Sequence, residues 1–393
     1  MEQLDARRGR ESMNKIINWM GGWPKDGLVS AADWEERLAH AAERFRQQGI
    51  SGSAGPEESD DLKTVLARGL LRGKAEGRIG RLKLTPGADA ALSLLAERSW
   101  RPGDVVLVER LTSRSALQTF RKAGLRVEAV QGDGAGVDPD ALKKAISRHR
   151  PRVLYAAPAC TDPEGAVWPE DLVRSVTAVC RETGVLMLRD DRHEMLAYHG
   201  DAGEAGIRLA SVPEGVLSIG QLPPGLVAEL RFGWLAGEEE TLKRWYPAAR
   251  GGEEVPAEPG VTPLERQALA DLIRDQPLEP LVDMLRVQCG ERMRRVTALL
   301  GQQRMRGLGW RNPDGGIHLW LKLPEGLDGE ALLRGAWIRG LMFQPGAPFY
   351  AAQPEGNTLR LTFAFSDERQ LKTGVSRLLE AIGDFVGRST DFG

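Results

Sequence analysis

Between Leu84 and Gly237 the chain repeats one arrangement: a short, continuous apolar run followed by a segment of helical length. The runs are VVLVE at 105–109, VEAV at 127–130, VLYAAP at 153–158, VLMLRDD at 185–191, VLSIG at 216–220 and RFGWLAG at 231–237. A strand with only one buried face alternates apolar and polar residues, whereas these β-branched runs do not alternate, so both faces must be covered. The expected result is an α/β fold with a mostly parallel sheet sandwiched by helices. In such sheets ligands sit beyond the carboxyl ends of the strands, so chemistry is sought in the residues that follow each run.

The remainder of the chain is patterned differently. Ser30 precedes AADWEERLAHAAERF, with Asp33 three positions on and Trp34, Leu38, Ala41 and Phe45 on one face, which predicts an N-capped amphipathic helix. Ser51 to Asp61 is small and polar and reads as a loop before a helix carrying Leu62, Val65 and Leu70. EEVPAEPGVTP at 253–263 reads as a surface loop, and a long helical region follows to about Met305. In GGIHLWLKLP, Ile317, Leu319 and Leu321 alternate with His318, Trp320 and Lys322, and TLRLTFAF repeats the pattern, so a second, half-covered antiparallel sheet is expected. The division expected is an N-terminal arm and helix over 1–45, a large domain over 46–285 and a small α+β domain over 286–393.

Bulk properties exclude several classes. Lys and Arg number 53 against 55 Asp and Glu, a formal charge of −2, which supplies no electrostatic footprint for nucleic acid or an anionic membrane. Arg292, Arg294 and Arg295 read as a solvated helix face. The three cysteines, Cys160, Cys180 and Cys289, are widely spaced and fit neither a disulfide framework nor a zinc site. The charged start lacks a signal-peptide core, and no apolar run reaches the roughly 18 residues of a membrane helix. A soluble, cytoplasmic protein is expected.

The collinear segments MGGWPKDGLVSAADW, LTPGADAALSLLAERSWRPGDVVLVE, RPRVLYAAPACTDPEGAVWP, GVLMLRDDRHE, LRFGWLAG, GGIHLWLKLPEG and NTLRLTFAF resemble the fold-type I, pyridoxal-phosphate-dependent aminotransferases of class I/II. Within that family the chain is most similar to the aminotransferase-like domain of MocR-type regulators and to aminoadipate/kynurenine-type transaminases. The resemblance implies a large domain with a seven-stranded-type sheet and a smaller C-terminal domain. About seventeen residues precede it, too few for the winged helix of the regulators, so DNA binding by this chain alone is not expected.

The family's chemistry requires a Schiff-base lysine, a carboxylate on the pyridine nitrogen, a stacking aromatic, phosphate donors and an arginine for the substrate carboxylate. The lysine lies seven residues before the arginine of the R-x-G-W pattern, a position held here by Pro224, with Pro223 at the preceding serine position. Proline has no amine to offer, and the nearest lysine downstream is Lys243. The phosphate-loop pair becomes Ala88 and Asp89, the stacking aromatic Ser113, the asparagine of N-P-T-G Asp162, and the tyrosine of D-D-Y Arg192; the tyrosine given across the dimer falls near Ser53. Three positions match: Asp190 as the pyridinium carboxylate, Arg231 as the phosphate arginine and Arg360 as the carboxylate fork. Arg360 lies in an alternating strand, and a bound carboxylate or a local Asp or Glu would equally satisfy it.

His193 and Glu194, beside Asp190 and Asp191, are metal-type side chains without a further ligand at suitable spacing, so no metal is expected. Cys160 has no histidine placed beside it and reads as a small core residue. The expectation drawn from the resemblance is a catalytically inactive, dimeric ligand-binding or partner-binding subunit. It has no catalytic residue, no covalent cofactor and a small carboxylate or amino-acid ligand, and it forms a homodimer or a heterodimer with an active relative. The alternative is an enzyme acting on amino acids or 2-oxo acids, either with noncovalent pyridoxal 5'-phosphate or with a cleft repurposed for other chemistry.

Overall fold

The structure is a computed structural model that describes residues 16–22, 24, 26–48, 62–66, 82–132, 134–198, 212–228, 230–246, 262–303 and 305–390. Its strands are β1 (Ile17–Trp19), β2 (Leu82–Thr85), β3 (Val105–Glu109), β4 (Arg126–Val130), β5 (Val153–Ala156), β6 (Leu186–Asp190), β7 (Val216–Gln221), β8 (Gly233–Gly237), β9 (Gly309–Trp310), β10 (Leu319–Lys322), β11 (Leu341–Pro345) and β12 (Thr358–Leu361). The helices are α1 (Ala31–Gln48), α2 (Ala88–Ser99), α3 (Arg114–Lys122), α4 (Pro139–His149), α5 (Glu170–Thr183), α6 (Glu239–Trp245), α7 (Pro263–Asp275), α8 (Leu278–Gln302), α9 (Gly329–Ile338) and α10 (Glu368–Thr390).

Seven strands form the larger sheet in the order β2-β8-β7-β6-β5-β3-β4, and only β8 runs antiparallel to its neighbours. Its continuous apolar runs serve both faces. Val106, Val108 and Leu188 pack with Leu92, Leu117 and Phe120 of α2 and α3. Val105, Leu107 and Met187 pack on the other side with Leu142, Val176 and Leu269 of α4, α5 and α7. The helix starts are written locally. Ser30 accepts from the Asp33 N–H at 3.1 Å, Asp138 caps α4 ahead of Pro139, and Thr262 forms a capping box with Glu265.

The second sheet has the order β1-β11-β12-β10-β9, with β1 parallel to β11 and the other pairs antiparallel. Several details differ from the sequence expectation. β12 is buried along its whole length, because one face carries the small core and the other meets the large sheet's loops. The 231–237 run becomes strand only at Gly233, leaving Arg231 in the exposed approach to β8. The expected helical region from 263 is two helices, broken at Gln276 and Pro277. Residue 286 falls inside α8, whose Leu278, Leu281 and Val282 join the large core and whose Met293, Val296 and Leu300 join the small one. No helix among the described residues is long and apolar enough to cross a membrane.

Candidate functional site

The carboxyl ends of β3, β5 and β6 open toward the second sheet, and the buried polar residues collect there. Asp190 ends β6 and is 3% exposed. Its Oδ2 accepts from the Tyr155 hydroxyl at 2.6 Å, and both carboxylate oxygens accept from Arg192 Nε, at 2.8 and 2.9 Å. Arg192 reaches on to Asp89 Oδ1 at 2.7 Å, which also accepts from Ser115 Oγ at 2.8 Å, and Ser115 bonds Ser113. Burial alone would depress the Arg192 pKa, but Asp190 and Asp89 hold the guanidinium firmly charged. Asp89 and Arg192 are thus complementary: the acid at one family position and the cation at another neutralise each other.

Neighbouring positions are similarly committed. Asp191 accepts from Arg189 at 2.7 Å and from Ser218 at 2.5 Å, facing the sheet interior rather than the cleft chemistry. The first amide of α2, Ala88 N–H, donates to Gln221 Oε1 at 3.2 Å. Arg231 is exposed, and its Cβ lies beside Gly87 at the start of that helix. The position Ser53 lies outside the described residues.

The Pro-Pro pair is explained by local geometry. Leu226 N–H donates to Pro223 O at 3.1 Å and Gly225 has φ 88°, so residues 223–226 form a turn with Pro224 second and Gly225 third. Proline presets φ at the second position and only glycine enters the third without strain. The turn is buried, its Gly225 O accepts from Leu28 N–H, and a Cβ on Gly225 would lie 2.9 Å from Phe365. Lys243 is on the exposed side of α6, paired with Glu239 and Glu240.

At the other pole, Arg360 of β12 extends from the second sheet into the cleft. Its NH1 donates to Asp162 Oδ1 at 2.5 Å and its NH2 to Gln344 Oε1 at 3.0 Å, and the guanidinium lies 4.6 Å from the Phe349 ring centroid. Of the two partners left open by the sequence, the structure therefore supplies a local acid. Burial would raise the Asp162 pKa, but Arg360 outweighs it and holds the carboxyl well below its usual range. Arg360 Nε and His193 Nδ1 are buried without a hydrogen-bond partner. His193 packs edge-on to His318 at 5.5 Å, and His318 Nδ1 is spent on Thr362 at 2.8 Å. Burial pushes His193 down to about 4, so its ring is neutral at physiological pH.

Cys160 is 3% exposed, and burial raises its thiol pKa far above the usual range, which keeps it protonated. Among the described residues no group of three His, Cys, Asp or Glu side chains is disposed to hold a metal. Sequence reasoning missed Tyr155, the Asp89–Arg192 complementarity and Glu109. Glu109, at the end of β3, accepts from Trp168 Nε1 at 3.2 Å and is pushed up to about 7 by burial. The available signal was an acid and a base gained together at positions the family leaves uncharged.

The void beside Asp190, Asp162, Arg192 and His193 measures about 10 Å³, room for one water. As arranged, the described residues do not accommodate pyridoxal phosphate there: Arg192 occupies the Asp190 carboxylate, and Ser113 presents no ring for stacking.

Residues 16–378 match the family model for aminotransferase class I and II. The 2-aminoadipate transaminase of Thermus thermophilus is 28% identical over 93% of this chain and 90% of that protein. The structure of LysN, an α-aminoadipate aminotransferase of the same organism complexed with N-(5'-phosphopyridoxyl)-L-leucine, superposes with a TM-score of 0.79 at 27% identity, covering 96% of this chain and 95% of that one. An uncharacterised HTH-type transcriptional regulator of Bacillus subtilis is 23% identical over 78% of this chain and 62% of its own length.

These relatives correct two expectations. The leaning toward a protein that is not an enzyme is overturned, because relatives matched along nearly the whole chain are named transaminases. The expectation of no covalent cofactor is corrected likewise, since such relatives are pyridoxal-phosphate aminotransferases. Both expectations rested on the set of family positions that this chain does not match, Pro224 above all, and Lys15, Lys25 and Lys74 fall outside the described residues. With a family match from residue 16 to residue 378 and a fold shared over nearly its full length, this chain belongs to the class I and II aminotransferases.

Proposed function

We propose that this chain is an enzyme acting on amino acids or 2-oxo acids in the cleft between its two sheets, with the substrate carboxylate held by Arg360. The observation that carries this reading is Arg360 itself. It is a buried guanidinium on the second sheet, directed across the cleft, with NH1 already donating to the Asp162 carboxylate and NH2 to Gln344 Oε1. A guanidinium with that geometry recognises a planar carboxylate by paired donors. The similarity to 2-aminoadipate transaminase supports the same substrate class. Three buried, unpaired cysteine thiols support a reducing compartment, the cytoplasm, and the family's dimeric assembly is proposed for this chain.

A second reading, a cleft turned to other chemistry, is favoured by Glu109. A carboxyl pushed up to about 7 at a strand end exchanges its proton at neutral pH, as a general acid or base must. The two readings share one test. Purified protein is given amino-acid and 2-oxo-acid pairs, with and without added pyridoxal 5'-phosphate, and both partners are followed by chromatography. Amino-group transfer that falls by about 100-fold in Arg360→Ala supports the first reading. Conversion of one partner without transfer, lost in Glu109→Gln, supports the second. No conversion of any pair overturns both.

A further inference from the structure

A second cavity lies where the loop after β3 meets β9, β10 and β12 of the five-stranded sheet. It measures about 360 Å³, against about 10 Å³ for the void beside Asp190, and the two have no lining residue in common. The larger space takes a small organic molecule, the smaller one a water. Its walls are joined across the two sheets by main-chain bonds: Leu111 and Tyr350 form an antiparallel bridge, and Ala351 N–H donates to Arg110 O at 3.0 Å. The cavity is thus built by the fold itself.

One wall is aromatic. Trp320 lies opposite Arg360 in the strand register, and its half-buried indole meets the Tyr350 ring with centroids 6.1 Å apart. The Arg110 guanidinium lies 5.1 Å from the Tyr350 centroid, so this wall already holds one cation against a ring face. The cations that line the cavity all have partners. Arg110 and Lys322 share Glu355, at 2.9 and 3.5 Å, and Arg311 is bonded to Asp314 at 3.0 Å and to Gly134 O at 2.9 Å. Glu164 is the exception: among the described residues it makes no hydrogen bond or ion pair, and Arg311 and Arg110 act on it only through space. Burial outweighs them and raises its carboxyl pKa, so a cation brought to it stabilises the ionised form. An anionic ligand, by contrast, would have to draw a cation away from its acid while lying beside Glu164.

We propose that this cavity binds an arylalkyl ammonium ion, its ring against Trp320 and Tyr350 and its ammonium on Glu164, as a ligand site separate from the Arg360 cleft. The ammonium supplies the donors that the Glu164 carboxylate lacks, and the ring fills the aromatic side of the cavity. Neither half suffices alone: an aliphatic amine leaves the aromatic wall in water, and an aromatic acid sets a second negative charge beside Glu164. The ligand needs no carboxylate, so the site is independent of what Arg360 holds.

The test is calorimetric titration at pH 8 with three probes. Tryptamine carries both features, indole-3-propionate keeps the ring and chain but exchanges the ammonium for a carboxylate, and n-butylamine keeps the ammonium without a ring. Tryptamine is expected to bind the unaltered protein at least about 10-fold more tightly than either of the others. That comparison does not depend on how any variant folds. Glu164→Gln weakens tryptamine by at least about 10-fold and leaves indole-3-propionate no weaker. Trp320→Leu weakens tryptamine by at least about 3-fold. Failure of tryptamine to bind, indole-3-propionate or n-butylamine binding as tightly, or a tryptamine affinity that falls more in Arg360→Ala than in Glu164→Gln overturns the proposal. None of these outcomes bears on amino-group transfer, which is read with different ligands.

Discussion

The two poles of the cleft both hold a buried carboxylate against an arginine, yet they differ in what would release it. At the Asp190 pole, every partner comes from the seven-stranded sheet and its loops: Tyr155, Arg192, Asp89 and Ser115. Relative movement of the two sheets leaves that network intact. At the Arg360 pole the pair joins one sheet to the other, so the same movement separates it. Similar short contacts therefore have different consequences: the first is a filled site, the second a closed but separable one.

The largest effect expected from breaking this contrast is at Arg192. Arg192→Ala leaves Asp190 buried against Tyr155 without a cation and should cost about 3–5 kcal/mol in chemical denaturation. Asp89→Ala, which removes the partly exposed end of the same chain of bonds, should cost about 1 kcal/mol or less. Equal costs would show that the network does not act as described.

Asp162→Ala should cost less than Arg192→Ala, about 1–3 kcal/mol, because Arg360 keeps Gln344 and the Phe349 face. The pH dependence follows from the directions of the shifts. The Asp162 carboxyl is held below its unfolded value, so the pair's contribution is complete above about pH 4 and is lost as pH falls further. His193 is shifted the other way from a stabilised imidazolium: the unfolded ring takes up a proton near 6.5 and the folded one only near about 4. Stability attributable to keeping it neutral is therefore lost as pH falls from 6.5 toward 4, and His193→Phe should flatten that part of the stability profile. Glu109, raised to about 7, has the opposite sign, and Glu109→Gln should stabilise the fold at pH 8 but not at pH 4.

Smallest of all is Lys243→Ala. That ammonium is exposed on α6 with Glu239 and Glu240, and its removal should leave the melting temperature and ligand binding unchanged. A clear loss of binding in this variant would draw α6 into the site and dissolve the two-pole description.

The large sheet was legible because Val105–Glu109, Leu186–Asp190 and Val216–Gln221 are buried on both faces, which writes an unbroken apolar run into the sequence. β1 was not, since three residues completing the edge of a distant sheet carry no periodicity of their own. Asp190 and Arg360 were found as positions that match the resembled family's pattern, and the structure brings both to one cleft. The Asp89–Arg192 bond was hidden because each residue read singly was only a departure from the family's pattern, and their 2.7 Å contact exists only in three dimensions. Pro224 misled for the opposite reason. Its local meaning, the second residue of a Pro-Pro-Gly turn, is complete without reference to chemistry. Absence of activity does not follow from Pro224 and the other unmatched positions, as the named transaminases among its relatives make plain.

The most direct test of the two-pole account is a crystal structure of the protein with a bound L-amino acid. The account predicts the ligand carboxylate on Arg360 with Asp162 displaced from it, and the Tyr155–Asp190–Arg192–Asp89 network unchanged. A ligand bound while Arg360 and Asp162 remain paired, or one that releases Asp190 from Arg192 instead, would contradict it.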